Sequence, residues 1–386
     1  MNESKKFMAL ESLSAKILLS ATILAICLSN SPLRNYYNDL FHTSILGHKF
    51  NLLFFINDGL MTIFFLVVGL EIKYEMVRGT LNTWSKAALP GIGAIGGMII
   101  PAVIYALINY HDSIMLRGWA IPTATDIAFS LAVLSLLKSR ISPALKIFLT
   151  ALAIFDDLAA IIIIAIFYTN QISLTFLLMV FICLFILLCF NKRGITKITP
   201  YLIVGCALWS CLLKAGIHPT LAGVSVALML PVQNREKTNY PLQKLQHSLH
   251  PWVALGILPL FAFANAGVSL LTLGLENLQI TLILGVLFGL FLGKQLGIFS
   301  ICWLAVKLGI ATLPEKINWR ELYAVGIICG VGFTISLFIG SLAFNDMAEN
   351  YLDSIKLGVL FGSLLSGIIG YCYCLCITNN KNQRQT

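Results

Sequence analysis

The sequence predicts an all-α polytopic membrane protein, and three observations carry that class. Of 386 residues, 58% are hydrophobic and 11% charged, with a mean hydropathy of +0.87. A soluble domain carries about a quarter charged residues, so this chain lacks the polar surface that water requires. Stretches of roughly twenty apolar residues recur along the whole length, each enough to cross a hydrocarbon core of about 30 Å. The two-residue alternation of a membrane barrel is absent. Helices, which bond their own backbone groups, are then the spanning form.

Twelve transmembrane helices are predicted, at about 14–31, 53–77, 88–109, 118–137, 146–168, 172–190, 199–213, 216–231, 250–270, 281–306, 322–344 and 356–378. The first comes after "MNESKKFMALESLSAK". Glu3, Glu11 and the lack of a small-residue cleavage site in "CLSNSPL" favour an uncleaved span over a signal peptide. The seventh and eighth are short, with only "AGIHPT" between them. No soluble domain interrupts the series, so residues 1–386 read as one membrane domain, with about 12–378 embedded and a short tail at each end.

Basic residues set the orientation. Twenty of the 26 Lys and Arg fall in the connections on the side of the N-terminus, five on the other side, and Lys294 lies inside a span. By the positive-inside rule both termini are cytoplasmic. Topology thus accounts for the net charge of +9. The basic residues form no patch, and nucleic acid is excluded as a partner. The ten cysteines sit in or at the edges of apolar spans, where they act as small hydrophobes. In "CYCLC" (372–376) the i, i+2, i+4 spacing spreads the thiols around a helix, so zinc is not expected there, and no cofactor is expected elsewhere.

Four ionisable residues are placed at depth: Asp126, Asp156, Asp157 and Lys294. Each costs roughly 2.5–3.5 kcal/mol at a helix centre, and such residues line ion or substrate paths. A purely structural ion pair accounts for one Asp with Lys294, but not for three carboxylates against one ammonium. In "AIFDDLAAIIII" Asp156 and Asp157 are consecutive, about 100° apart around a helix. One is therefore able to meet Lys294 while the other faces a cavity. Burial disfavours a charged carboxylate, and such a pair holds a proton or a hard cation, not both.

Two spans carry breaks. In "GWAIPTATDIAFSL" Pro122 blocks a continuous helix, while Thr123, Thr125 and Asp126 suit the start of a new one. "GIICGVGFTISLFIG" (326–340) has four glycines, with Thr334 and Ser336 as caps. Half-helix N-termini carry partial positive charge and C-termini partial negative charge. If spans four and eleven cross, Asp126 is placed to offset the former and Lys294 the latter. Read alone, the glycines also fit close helix packing. Matched breaks with ionisable residues at mid-depth are the sequence mark of a secondary transporter, with spans three to five and ten to twelve as inverted repeats.

"PTATDIAF", "FDDLAAI", "GIHPTLAGV", "HPWVALGILPLFAFANAGVSL", "LGKQLGI" and "GVGFTISLFI" together resemble the NhaA-type sodium/proton antiporters, from about Asn57 to about Gly370. That family is itself an established instance of inverted repeats around broken helices. The resemblance implies that Asp156 and Asp157 are the transport carboxylates. Asp157 is then the direct sodium ligand, and Asp156 the partner that pairs with Lys294 and releases it. It sets Thr125 and Asp126 at the crossing, as ion-binding residues with Asp156 and Asp157, and Glu71, Glu75, His218 and His247 among pH-sensing or gating residues. Read alone, each of those four is an ordinary interfacial polar residue. His247 and His250 have no third ligand near them in sequence.

Two departures stand out. Gln246 stands where some relatives carry Glu, from which a shifted or shallower pH response is expected. The connection around Gly47 and His48 is short for the dimer-linking hairpin of relatives, which leaves a homodimer open. The implied activity is export of sodium (and lithium) across a bacterial inner membrane against protons, electrogenic and pH-regulated. It needs no catalytic residues and has membrane lipid, Na+ and H+ as partners. Two other classes compete with it. An intramembrane aspartyl protease carries Tyr-Asp and Gly-x-Gly-Asp motifs, and neither occurs. A sodium-coupled symporter of the same fold needs an organic substrate site, which sequence neither shows nor excludes.

Overall fold

A computed structural model describes residues 3–43, 51–79, 81–137, 142–169, 172–233, 240–269, 278–314, 317–345 and 347–383. The connection around Gly47 and His48 lies outside them. The described residues form helices joined by turns, without a β-strand. Among them nine helices are long and apolar enough to cross a membrane. Eleven spans result when each of two bent pairs counts as one.

The eighth expected span, 216–231, is the difference. It holds only Leu221–Met229, nine residues, or about 14 Å of helix, under half the hydrocarbon thickness. Proline explains its brevity. Pro219 precedes it, and Leu230 takes an extended conformation (φ −69°, ψ 129°) immediately before Pro231, as a residue ahead of proline does.

The chain divides into two compact units. The first comprises Met1–Leu33, Thr83–Ala160 and Asn265–Thr386, and the second Arg34–Asn82 and Ile161–Ala264. Within the first, helix Trp84–Asn109 packs on the span Ile280–Lys307 through small residues. A Cβ on Gly293 would lie 2.6 Å from Pro101 Cα, and one on Gly97 would lie 2.9 Å from Ile298 Cγ1. Only glycine lets the backbones approach so closely, and this approach carries Lys294 to full burial. Pro90 and Pro101 lie inside Trp84–Asn109. Membrane helices tolerate such prolines because neighbours satisfy the freed backbone groups.

The second unit contains Leu52–Val77, Leu174–Lys192, Ile198–Ala215, the short Leu221–Met229 and most of Pro241–Asn265. The short helix lies against Leu52–Val77, where a Cβ on Gly69 would come within 2.8 Å of Ala227 Cβ. Side chains cap its exit. Lys73 Nζ donates to Leu228 O and Leu230 O, both at 2.6 Å, and Asn191 Nδ2 donates to Met229 O at 2.6 Å. A lysine at a helix C-terminus satisfies carbonyls with no partner along the helix and meets their partial negative charge.

Candidate functional site

The two predicted breaks are present. Met115–Thr123 and Ile127–Leu136 meet at 43°, and Trp319–Ile328 and Phe333–Ala343 at 46°. In the first pair Ala124 and Asp126 are extended, and Asp126 Oδ1 accepts from Phe129 N at 3.0 Å as the N-cap of the second half. In the second pair the turn runs through Cys329–Gly332. A Cβ on Gly332 would lie 3.1 Å from Ala124 O, so the two turns touch there.

Asp126 serves both breaks. Its Oδ2 accepts from Thr334 N at 3.2 Å and Thr334 Oγ1 at 2.6 Å, and its own N–H donates to Val331 O at 2.7 Å. One carboxylate thus faces the N-termini of two half-helices, each carrying roughly half a positive charge. This is the offset expected from the sequence.

The other end of the expected compensation is different. Lys294 Nζ donates to Asp156 Oδ2 at 2.6 Å, with both side chains fully buried. Thr125 Oγ1 lies 2.7 Å from the same Oδ2 and 2.9 Å from Cys329 O. A hydroxyl has one proton, so at any moment Thr125 donates to one of the two. Asp156 Oδ1 is buried and has no hydrogen-bond partner among the described residues. Asp157 comes next on helix Pro143–Phe167 and is 1% exposed. The structure therefore brings Asp156, Thr125 and Lys294 into direct contact, sets Asp157 beside them on the chain, and ties Asp126 to Thr334 at the crossing. All belong to the first unit.

Why Lys294 reaches Asp156 is local. Residues Gly289–Gly293 form a π-helical turn immediately before it. Such a turn adds a residue to the helix and rotates the side chains on its C-terminal side, and it recurs at functional sites.

The remaining candidates lie in the second unit. Glu71 and Glu75 are partly buried on Leu52–Val77, and His247 is exposed on Pro241–Trp252. His218 is buried. Its Nε2 stands 3.3 Å from Asp58 Oδ1 and its Nδ1 2.7 Å from Thr220 Oγ1. Asp58 corrects the sequence reading, which placed only Asp126, Asp156, Asp157 and Lys294 at depth. It sits in a π-helical turn, Phe55–Leu60, inside the predicted second span, with its side chain 20% exposed. A charged residue six positions into an apolar span was the signal available. Trp209 Nε1 and Thr62 Oγ1 both donate to the Asp58 carbonyl, at 3.2 and 2.5 Å, which satisfies a backbone oxygen of the widened turn. Among the described residues no group of three His, Cys, Asp or Glu is placed to hold a metal ion.

A polytopic helical protein with two broken spans crossing at a buried lysine–aspartate pair has the frame of a secondary transporter. Similarity to known proteins narrows that class. The family model described as "Na+/H+ antiporter 1" matches residues 5–374, and the chain belongs to this family. It is 47% identical over 383 residues to a Na(+)/H(+) antiporter NhaA of Pseudomonas fluorescens, covering 98% of this chain and 97% of that one. It is 51% identical to the protein of the same name from Aeromonas hydrophila, over 99% and 98% of the two chains, and 50% identical to that from Rhodospirillum rubrum, over 95% of each.

Proposed function

We propose that the chain exchanges Na+ for H+ across a bacterial inner membrane, with Asp157 and Asp156 supplying the oxygens that hold either ion. The observation that carries this is the Asp156 carboxylate, buried at a crossing of broken helices and held by one ammonium and one hydroxyl. A carboxylate in that setting needs a positive partner, and three are available in turn: Lys294, a proton, or a sodium ion on the pair.

The cycle rests on competition. Sodium from the cytoplasm takes carboxylate oxygens of Asp157 and Asp156 as their protons leave. The loaded site opens to the far side, and protons arriving there displace the ion. Lys294 holds Asp156 when no other cation does, and is released when Asp156 is neutralised. Asp126 keeps its charge throughout, because two helix N-termini depend on it. More than one proton per sodium makes the exchange electrogenic, so an inward proton gradient expels sodium. Both termini are cytoplasmic, from the distribution of Lys and Arg. Glu71, Glu75, His218 and His247 act in gating and pH response, with Gln246 modifying it. The protein is a transporter and not an enzyme.

Everted membrane vesicles containing the protein test this. With an established proton gradient, Na+ and Li+ evoke proton efflux, and K+ is added in the same assay for comparison. A flux evoked only by an organic solute would overturn antiport in favour of symport.

A further inference from the structure

Among the described residues, hydroxyls and not charged side chains bond to carbonyls at the C-terminal ends of the two leading half-helices, whereas the N-terminal ends meet Asp126. The last four carbonyls of any helix have no intrahelical donor, and a span broken at depth holds them away from water. Lys294, the lysine expected there, is bonded to Asp156. Two serines stand at these ends instead. Ser130 Oγ, on Ile127–Leu136, donates to Ile328 O at 3.3 Å. Ser336 Oγ, on Phe333–Ala343, donates to Ile121 O at 2.7 Å. Both serines are fully buried.

The arrangement is reciprocal. Ser130 is the fourth residue of its half-helix and Ser336 the fourth of its own. Each reaches across to a carbonyl near the end of the opposite leading half. Ile328 O also accepts from Val331 N at 3.0 Å, using both lone pairs. The charged bonds at the crossing involve Asp126 and the two N-termini, while hydroxyls serve the C-termini.

We propose that Ser130 and Ser336 are a matched pair of positioning residues, a hydroxyl lock that makes the two broken spans move as one piece and leaves the Lys294 ammonium committed to Asp156. This deepens the antiport reading and rests on it. Neither serine is among the groups bonded to Asp156. They act on the rate at which the crossing reorients, not on the affinity of the ion site. Replacing them with a charged donor would add a buried cation to the crossing. Serine gives the bond without the charge.

The test uses the full chain in proteoliposomes, comparing native protein with Ser130→Ala, Ser336→Ala, the double alanine variant and Ser336→Cys. Rates are taken per reconstituted transporter. Each alanine variant is expected to lose about tenfold in turnover, with KM for Na+ within twofold of native. The double variant should lose little more than the worse single one, because opening either half frees the crossing. Cysteine, with the same shape and a weaker donor, falls between serine and alanine. Deuterium uptake by peptides spanning 118–126 and 326–332 should rise in the alanine variants. Native turnover in both alanine variants, a raised KM at unchanged turnover, or cysteine no better than alanine would overturn the lock. Native protein with no sodium-driven proton flux would defeat the antiport reading, and the deuterium comparison would still decide whether the serines hold the crossing.

Discussion

Each unit sets a carboxylate against a buried nitrogen base, and the two pairs are built differently. In the first, Asp156 meets Lys294 at 2.6 Å with both side chains fully buried. In the second, Asp58 meets His218 at 3.3 Å, and the aspartate keeps 20% exposure. A lysine is a point charge, so the first pair is held mainly by charge and loses its reason to exist when Asp156 is neutralised. A histidine shares hydrogen bonds in either protonation state, and His218 is also fixed by Thr220. The second pair therefore survives a change of one proton. The lysine pair suits a step that must make and break a bond each cycle. The histidine pair suits a joint that persists while its proton count changes, which is compatible with a part in the pH response.

Substitutions sharpen this contrast. The largest effect is expected from Asp157→Asn, which keeps the shape and removes the charge. Sodium-evoked proton flux should fall to the level of vesicles without the protein, while the amount in the membrane stays native. Lys294→Ala comes next. Breaking a buried pair by removing one partner costs about 3–5 kcal/mol, so thermal unfolding in detergent should shift down strongly. A matching Asp156→Asn change in the same chain should recover much of that loss.

Asp126→Ala leaves the buried N–H of Thr334 and its hydroxyl without an acceptor, at about 1–3 kcal/mol for each such group. It should lower both stability and turnover. His218→Ala is the mildest, because solvent already reaches Asp58. A loss of about 1 kcal/mol and plateau flux within a few-fold of native are expected. If His218→Ala abolished plateau exchange, the division between a working pair and a persistent joint would fail.

Much of the candidate site is legible in the sequence because the membrane makes charge conspicuous. Asp126, Asp156, Asp157 and Lys294 stand out in apolar spans, and Pro122 with the 326–332 glycines marks both breaks. The pairing of Lys294 with Asp156 is open from the residues alone, since Asp157 is one position away and the helix turn before Lys294 is π-helical. An extra residue in a turn leaves no side-chain pattern. The same feature hides Asp58, which the turn at Phe55–Leu60 sets beside His218. The eighth span is shorter than its hydropathy suggests, because the helix begins only at Leu221, after Pro219, and stops at Met229, before Leu230 and Pro231. Ser130 and Ser336 are silent as a lock, because serine inside an apolar span has many uses and only the fold shows whose carbonyl it reaches.

The most direct measurement is proton release on sodium binding by purified protein, tracked in weakly buffered detergent solution while NaCl is added at several pH values. Competition for the same carboxylate oxygens predicts that protons appear as sodium binds, and that Asp157→Asn removes the signal. Saturable sodium binding with no proton released at any pH would contradict it.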